Sequence, residues 1–277
     1  MADPRLYQIA TLGALLVYGM GWLEFDITPV RAALILGTAL ATQRLCDRLS
    51  GSAAPFASTA RSALISGLSL CLLVRSNVPA LACLAAVIAI ASKFLIRVRG
   101  KHVFNPTDGA LVALLLVTKQ VWVSPGQWGT AAFFAFLLAC AGSLVVTRAA
   151  RADVSLAFIA AFSALVIARS LYLGEPLALP LHRLESGAFL LFAFFMISDP
   201  KTTPDARPAR MLFAVLVATT AWYVQFRLFR TNGLLWSLAI WSLAVPVLDR
   251  VFPAARYQWT RPAARPAPAA VPAARAA

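Results

Sequence analysis

The chain has 277 residues, of which 60% are hydrophobic and only 13% are charged, whereas a soluble domain carries about 25% charged residues. This composition excludes a soluble globular protein and predicts a polytopic membrane protein with little room for a separate soluble domain. The formal net charge of +14 does not indicate a nucleic-acid partner, because the basic residues lie mostly between apolar segments. Membrane topology and anionic lipid account for basic residues in such positions.

The residues that usually carry metal or redox chemistry are few and scattered. None of the four cysteines forms a CxxC pair, and three lie inside apolar runs, which favours small buried side chains over disulfides or metal ligands. His102 and His182 are the only histidines, which argues against a haem or zinc site built by this chain alone. No Walker loop, HExxH, GxSxG or dinucleotide-binding fingerprint occurs. We therefore do not expect a self-sufficient enzyme.

Hydropathy predicts ten apolar helices. A polar linker, residues 47–60, follows the second helix, and the first helix is expected to stay in the membrane because it lacks a small-residue cleavage site. The third, fifth and eighth helices fall well short of the about 20 residues that cross a hydrocarbon core. In chain order, the predicted helices are Leu6–Leu23, Val30–Leu45, Ser62–Val74, Ala80–Ile96, Thr107–Val117, Thr130–Val146, Ser155–Leu173, Ser186–Ile197, Met211–Phe226 and Gly233–Leu248.

Two of the short helices end at polar breaks, one at Asn77-Val78-Pro79 and the other at Asp199-Pro200. A break at membrane depth is tolerated only where the freed backbone groups are buried in protein or line a cavity. Each break therefore marks either a site or a deep structural kink.

The two halves of the chain repeat one order of segments. Residues 62–116 and 186–243 both show a short helix with Ser-Gly, a break, a long helix, a basic stretch, an Asn-containing turn and another helix. Five helices per repeat is an odd number, so the second copy must be inverted. The predicted fold is an all-α polytopic membrane protein with about ten transmembrane helices in two inverted five-helix repeats, 1–123 and 124–250. The Ala-, Pro- and Arg-rich residues 251–277 are expected to form a disordered cytoplasmic tail.

The distribution of arginine and lysine predicts the orientation. Most of these residues fall in segments that lie on one side of the ten predicted helices, and the positive-inside rule makes that side cytoplasmic. Both termini are then cytoplasmic in a bacterial-type inner membrane. The Asp199 turn faces the cytoplasm and the Asn77 break faces the outside.

Polar residues at the breaks are the candidate binding residues. Asp199 is either a ligand contact or a cap, since Asp199-Pro200 or Asp205 could cap the next helix. Asn105 is a plausible cap with Pro106 at the first helical position, and a half-helix N-terminus also attracts electron-rich groups. The candidate cofactor-binding residues are Asn105, Asp108, Asp199, Lys201, Thr202 and Asn232.

These segments resemble a known family. The stretch GAFLLFAFFMISDPKTTPDARPARMLFAVLVA resembles the RnfD membrane protein of Rnf complexes and the NqrB membrane protein of the sodium-pumping NADH:quinone reductase, which carry a short helix, F-F-M-x-x-D-P and a Ser/Thr turn. NGLLWSLAIWSLAVPVLDR looks like the closing helix of that family, and residues 101–106 look like its F-N-P segment. The resemblance implies ten helices in two inverted repeats.

The chain departs from the family at the flavin attachment site. Flavin-carrying members attach FMN to a Thr in an S-G-A-T type motif between the two repeats. The connection here, TKQVWVSPGQWG, has no such motif, and Ser186-Gly187-Ala188-Phe189 has Phe at the acceptor position. Covalent FMN is therefore not expected, and the binding of a noncovalent flavin (FMN or riboflavin) or of a quinone stays open.

The resemblance implies an integral membrane subunit of an Rnf/Nqr-like electron transport system, with the lipid bilayer, a redox partner protein or other subunits as partners. Two alternatives stay open. The scaffold also resembles urea-transporter-like channels, so the breaks could line a path for a small polar solute. Short members also look like the membrane protein found with enediyne biosynthesis genes, which suggests a membrane component of a biosynthetic pathway.

Overall fold

A computed structural model describes residues 3–23, 25–124 and 132–259, with the side chains of 132–135 excepted. The described residues form twelve helices and four short strands, so the expected all-α fold is confirmed. The helices are α1 (Pro4–Gly21), α2 (Pro29–Leu49), α3 (Phe56–Leu73), α4 (Pro79–Leu95), α5 (Pro106–Val117), α6 (Ala132–Arg148), α7 (Ala152–Leu173), α8 (Ala178–Leu184), α9 (Gly187–Leu191, continued by a π-helical turn, Phe192–Met196), α10 (Arg207–Phe226), α11 (Gly233–Ser242) and α12 (Val245–Val251).

Helical structure occurs at each of the ten predicted positions. By length and composition, three of the described helices could cross a membrane (α3, α7 and α10), or up to five if each bent helix pair counts as one span. These helices support a multi-pass membrane protein, while ten spans and the inverted repeat stay predictions. Several predicted segments lie outside the described residues: 130–131 of the sixth helix, 125–129 of the connection between the halves, and 260–277 of the tail.

Helix α3 is longer than predicted. It begins at Phe56 and has 18 residues, whereas the sequence suggested a polar linker up to residue 60. The polar side chains in its first turns are paired across the fold: Thr59 Oγ1 donates to Asp47 Oδ2 at 2.6 Å, and the Arg61 guanidinium lies 2.8 Å from Asp3. These long-range partners let polar residues continue a helix instead of ending it.

The first predicted break exists, and a strand pair satisfies its backbone. Strand β1 (Val74–Ser76) follows α3 directly and pairs antiparallel with β4 (Val121–Val123). Ser124 N also donates to Leu73 O at 2.8 Å. Hydrogen bonds between the end of α3 and the segment that follows α5 therefore replace those that the interrupted helix lacks. A second two-stranded ladder, β2 (Arg97–Val98) with β3 (Lys101–His102), links α4 to α5.

The second predicted break is a π-helical turn followed by a polar loop. Residues 192–196 form the π turn, a geometry that appears frequently at functional sites. Ser155 Oγ of α7 donates to Ala193 O at 2.7 Å, and Ser198 Oγ donates to Phe194 O. Side chains thus bond carbonyls in this turn, as expected for broken helices within membranes.

The tenth predicted helix, Gly233–Leu248, is two helices. α11 and α12 meet at an angle of 49°, and Pro246 lies in the first turn of α12. Proline has no N–H to donate to the preceding turn, so the helix bends at this point. Helix α8, which has seven residues and lies before α9, was not predicted because it is too short to show a hydropathy peak.

The core packs aromatic side chains of α7 against those of α9 and its π turn. Phe158 lies 5.0 Å from Phe192 and 5.8 Å from Phe189 between ring centroids, within the range of favourable aromatic pairs. Helix α6 approaches the same segment closely, because a Cβ added at Gly142 would lie 2.5 Å from Phe194 Cγ. The π turn is therefore held between α6 and α7.

Gly142→Ala should destabilise the fold by about 1–3 kcal/mol, because the new methyl group forces Phe194 to move in a packed core. Gly13→Ala is the matched control, since a Cβ there meets no atom within 4 Å. That control should be neutral or up to about 1 kcal/mol stabilising. Thermal unfolding in detergent measures both, and equal midpoints would show that the α6 contact is not close.

The predicted orientation can be tested by thiol labelling in oriented vesicles. Ser52 in the α2–α3 loop and Glu185 after α8 are the two positions, since they lie on opposite sides of the predicted topology and outside the long helices. A membrane-impermeant maleimide should reach Ser52→Cys only from the cytoplasmic side and Glu185→Cys only from the other side. Labelling of both from one side would contradict the predicted arrangement.

Candidate functional site between the broken segments

Asn105 connects the start of α5 to the end of the π turn. Its Oδ1 accepts hydrogen bonds from Thr107 N at 3.1 Å and Asp108 N at 3.2 Å, so it caps α5, with Pro106 in the first helical turn as predicted. Its Nδ2 donates to Met196 O at 3.2 Å, at the end of the π turn. One buried side chain thus forms hydrogen bonds both to the start of α5 and to the end of the π turn.

Asp199 organises the loop after the π turn. Its Oδ1 accepts a hydrogen bond from Lys201 N at 3.0 Å, and its Oδ2 lies 3.5 Å from Asn105 Nδ2. Ala206 is the N-cap of α10 and makes no side-chain capping bond, so neither Asp199 nor Asp205 caps that helix. The carboxylate of Asp199 therefore stabilises its own turn and faces a cavity between the halves.

Lys93 of α4 also borders this cavity, although the sequence analysis treated it only as a topology marker. It is 5% exposed, and its Nζ donates to Ser62 O at 3.0 Å and to Ser62 Oγ at 3.1 Å. Its charge acts on Asp199 across the cavity. A lysine within an otherwise apolar helix is the signal that could have identified it, because ionisable residues within membrane segments usually serve function.

We call this space the inner cavity, after the predicted orientation. It has a volume of about 100 Å³ and is bordered by both halves of the chain. Three of the predicted site residues, Asn105, Asp199 and Lys201, meet there. The other polar residues on its wall come mainly from α3 and α4 and include Ser62, Ser66, Ser69, Lys93 and His102.

Two further predicted residues lie close by but do not line the cavity. Thr202 is buried, and its Oγ1 donates to Asp199 O at 3.4 Å, so it supports the turn. Asp108 is fully buried in α5, and neither carboxylate oxygen has a hydrogen-bond partner among the described residues. An unpaired buried carboxyl group costs free energy, and the fold alone gives no reason for it.

Ion pairs of Lys101 connect the elements next to the inner cavity. Lys101 Nζ lies 3.1 Å from Asp205 and 2.7 Å from Asp249, which joins the β2–β3 hairpin to α12 and to the loop before α10. Next to it, burial lowers the pKa of His102 to about 4, and the nearby Arg97 and Lys93 charges act in the same direction. His102 is therefore neutral at physiological pH.

Asn232, the sixth predicted residue, lies at a different site. It borders a cavity of about 730 Å³, which we call the outer cavity. Its wall includes the aromatic side chains of Trp122, Phe189, Phe192 and Phe229, the amide groups of Gln225 and Asn232, and the guanidinium groups of Arg183 and Arg230. Met196 lines both the inner and the outer cavity, so the two approach each other at the end of the π turn.

The fold and this site define a helical membrane protein in which the start of α5 and the end of the π turn meet beside a polar cavity. The family described as NQR2, RnfD, RnfE matches residues 118–258, slightly more than half of the chain. The chain belongs to this family, which confirms the resemblance seen in the sequence. The match includes the π turn, the Asp199 loop and α10 to α12.

Curated relatives support the same assignment at low identity. The D subunit of the ion-translocating oxidoreductase complex of Erwinia tasmaniensis is 29% identical over 106 residues, which cover 38% of this chain and 30% of the relative. The protein of the same name from Escherichia coli O9:H4 is 28% identical over 128 residues, which cover 46% and 32%. The chain spans about a third of the length of these curated relatives.

Asp199→Ala should lower electron transfer or solute passage, whichever the protein shows, more than Asp205→Ala. A hydrogen bond to a charged group contributes about 1.5–3 kcal/mol, so we expect a loss of roughly tenfold or more at Asp199. Asp205→Ala leaves Lys101 paired with Asp249 and should cost less. Equal, negligible effects on the measured rate would remove Asp199 from the site.

Proposed function

We propose that this chain is the integral membrane subunit of an Rnf/Nqr-like electron transport system and that it holds a flavin or a quinone noncovalently between its two halves. Its family membership and the names of its relatives support the electron-transport role. Other subunits or a redox protein would then deliver and remove electrons, since the described residues include no group of three or more His, Cys, Asp or Glu side chains placed to hold a metal ion.

The observation that carries the proposal is the outer cavity. Ligand pockets in proteins have volumes of about 300–1,000 Å³ and combine apolar walls with a few polar groups. The outer cavity, at about 730 Å³, falls in this range, whereas the inner cavity, at about 100 Å³, does not. A flavin or quinone ring therefore belongs in the outer cavity, with the inner cavity as a polar neighbour.

The residues of the outer cavity suit a planar ring. Trp122 and Phe229, which are 40% and 81% exposed, present aromatic surface on its wall that packs well against a ring face. The buried Phe189 and Phe192 lie in the same wall. Asn232 and Gln225 can donate to and accept from ring carbonyls and nitrogens. Asn232 precedes α11 with a positive φ of 59°. Asparagine suits this place because it tolerates the left-handed backbone conformation.

The bound group would supply the one- and two-electron chemistry, and the chain would supply orientation and exclusion of water. Buried aromatic residues exclude water from the ring. The inner cavity places ionisable side chains, Lys93 and Asp199, on the other side of Met196. These charges can compensate a change of charge in the outer cavity, since electrostatic interactions are strong in a low-dielectric interior.

A second candidate function follows from the shared position of Met196. Because this side chain lines both cavities, its movement would join a polar chamber to a larger one, as in a path for a small polar solute. The hydroxyl groups of Ser66 and Ser69 on the inner wall fit such a path. Passage of solute through liposomes that contain a colourless, quinone-free protein would favour this alternative.

The cofactor prediction is tested on protein purified from its native membrane. The visible spectrum should show an oxidised flavin, or solvent extraction should recover a quinone. Denaturation should release the group into the supernatant, because no acceptor Thr of the family motif is present. A flavin that stays with the precipitated protein would contradict noncovalent binding, and absence of both groups would contradict the proposal.

A matched pair of phenylalanines locates the group. Phe189 borders the outer cavity, while Phe162 of α7 stacks on it at 5.4 Å without lining the cavity. An aromatic pair contributes about 0.5–1.5 kcal/mol, so Phe189→Leu should weaken cofactor retention by roughly 2- to 12-fold. Phe162→Leu loses similar packing but should retain the cofactor, and equal losses in both variants would place the group elsewhere.

A further inference from the structure

The segment of residues 253–259 follows α12 and ends with Trp259 at the wall of the inner cavity. It has no regular secondary structure, and it reaches from α12 to the start of α1. We call it the strap. Trp259 is part of the cavity wall, together with Pro4 and Gln8 of α1.

Three cations hold the strap through its two aromatic residues. Lys201 Nζ donates to Tyr257 O at 3.0 Å. The Arg151 guanidinium carbon lies 4.8 Å from the Tyr257 ring centroid, and that of Arg5 lies 5.3 Å from the Trp259 ring centroid. The two rings meet edge to face at 5.2 Å.

These contacts are few, and the contact with Arg151 leaves a buried hydrogen-bond donor unsatisfied. Arg151 is 5% exposed, and its Nε has no hydrogen-bond partner among the described residues. A buried donor without a partner is unfavourable, and water would satisfy it if the strap moved away. The observed position is therefore held by individually weak cation–π contacts and one hydrogen bond, and it contains an unsatisfied donor.

Several polar groups on the wall of the inner cavity are buried. Ser66, Ser69 and Lys93 on its wall are 4%, 8% and 5% exposed. Such groups can exchange protons, ions or solute with water only if a wall opens. Among the described segments on this wall, the strap is the one that is not held in a helix, a ladder or the capped Asp199 turn.

We infer that residues 253–259 are a displaceable strap whose Tyr257 and Trp259 close the inner cavity, and whose release opens that cavity to the cytoplasmic side. Release exposes the cations under the rings as well as the cavity wall. The access of small water-soluble molecules to Lys93 and Asp199 is then set by the position of the strap. The inference does not depend on which group occupies the outer cavity.

Alkylation of a cysteine in the cavity tests the strap. Ser66→Cys is introduced into the full chain in inside-out vesicles, and mass spectrometry of the labelled peptide follows its reaction with a small charged thiol reagent. Adding Trp259→Ala should raise the alkylation rate roughly tenfold, equivalent to about 1.4 kcal/mol in the opening equilibrium. Trp259→Phe keeps a ring over Arg5 and should restore most of the protection.

Gln258→Ala is the matched control, because Gln258 lies between Tyr257 and Trp259 in the sequence and its side chain is exposed. It should leave the rate unchanged, and Ser52→Cys in an exposed loop should react at one rate in every variant, which reports folding and reagent access. Tyr257→Ala provides a second opening variant. Equal rates for Ser66→Cys with Trp259, Trp259→Ala and Tyr257→Ala would overturn the inference, as would an equal rise in Gln258→Ala.

Discussion

The two hydrogen-bonded ends of Asn105 are the interaction on which the site depends. In a bilayer, each backbone group without a partner costs several kcal/mol, so a chain that interrupts its helices must satisfy the free groups within the protein. The Asn105 side chain caps α5 through its oxygen and bonds Met196 O of the second half through its nitrogen. The polar cavity follows from this contact, because the segments that meet at Asn105 bring Asp199 and Lys201 beside it.

The other interruptions are satisfied in different ways, and each one also shapes a cavity. Pairing of β1 with β4 satisfies the first break, and it places Trp122 and Val123 on the wall of the outer cavity. Ser155 bonds Ala193 O in the π turn, and this turn presents Phe192 and Met196 between the two cavities. The contacts that satisfy the free backbone groups therefore also determine which residues line the cavities.

The sequence predicted the helices well, because runs of apolar residues report lipid-facing and core-facing segments directly. It also identified the breaks at Asn77-Val78-Pro79 and Asp199-Pro200, since a proline after a polar residue marks a helix boundary. The sequence could not show which polar residues meet. Thr59 was interpreted as part of a linker because its partner, Asp47, is visible only in three dimensions. Lys93 was counted only for the topology, although a lysine within an apolar helix is itself a signal of function. Asn232 borders the outer cavity and does not join Asn105 and Asp199.

The unequal character of the two cavities explains how one small chain could separate two tasks. Asp199 and the buried Lys93 line the inner cavity, which is too small for a ring, while the larger outer cavity combines aromatic side chains with Arg183 and Arg230. A ring placed in the inner cavity would displace the hydrogen-bond partners of its polar groups, which is costly. Separation by the π turn avoids this cost and leaves Met196, an unbranched and adaptable side chain, in the wall of both cavities. Charged side chains therefore lie on both sides of Met196, and they can interact because electrostatic interactions are strong in a low-dielectric interior.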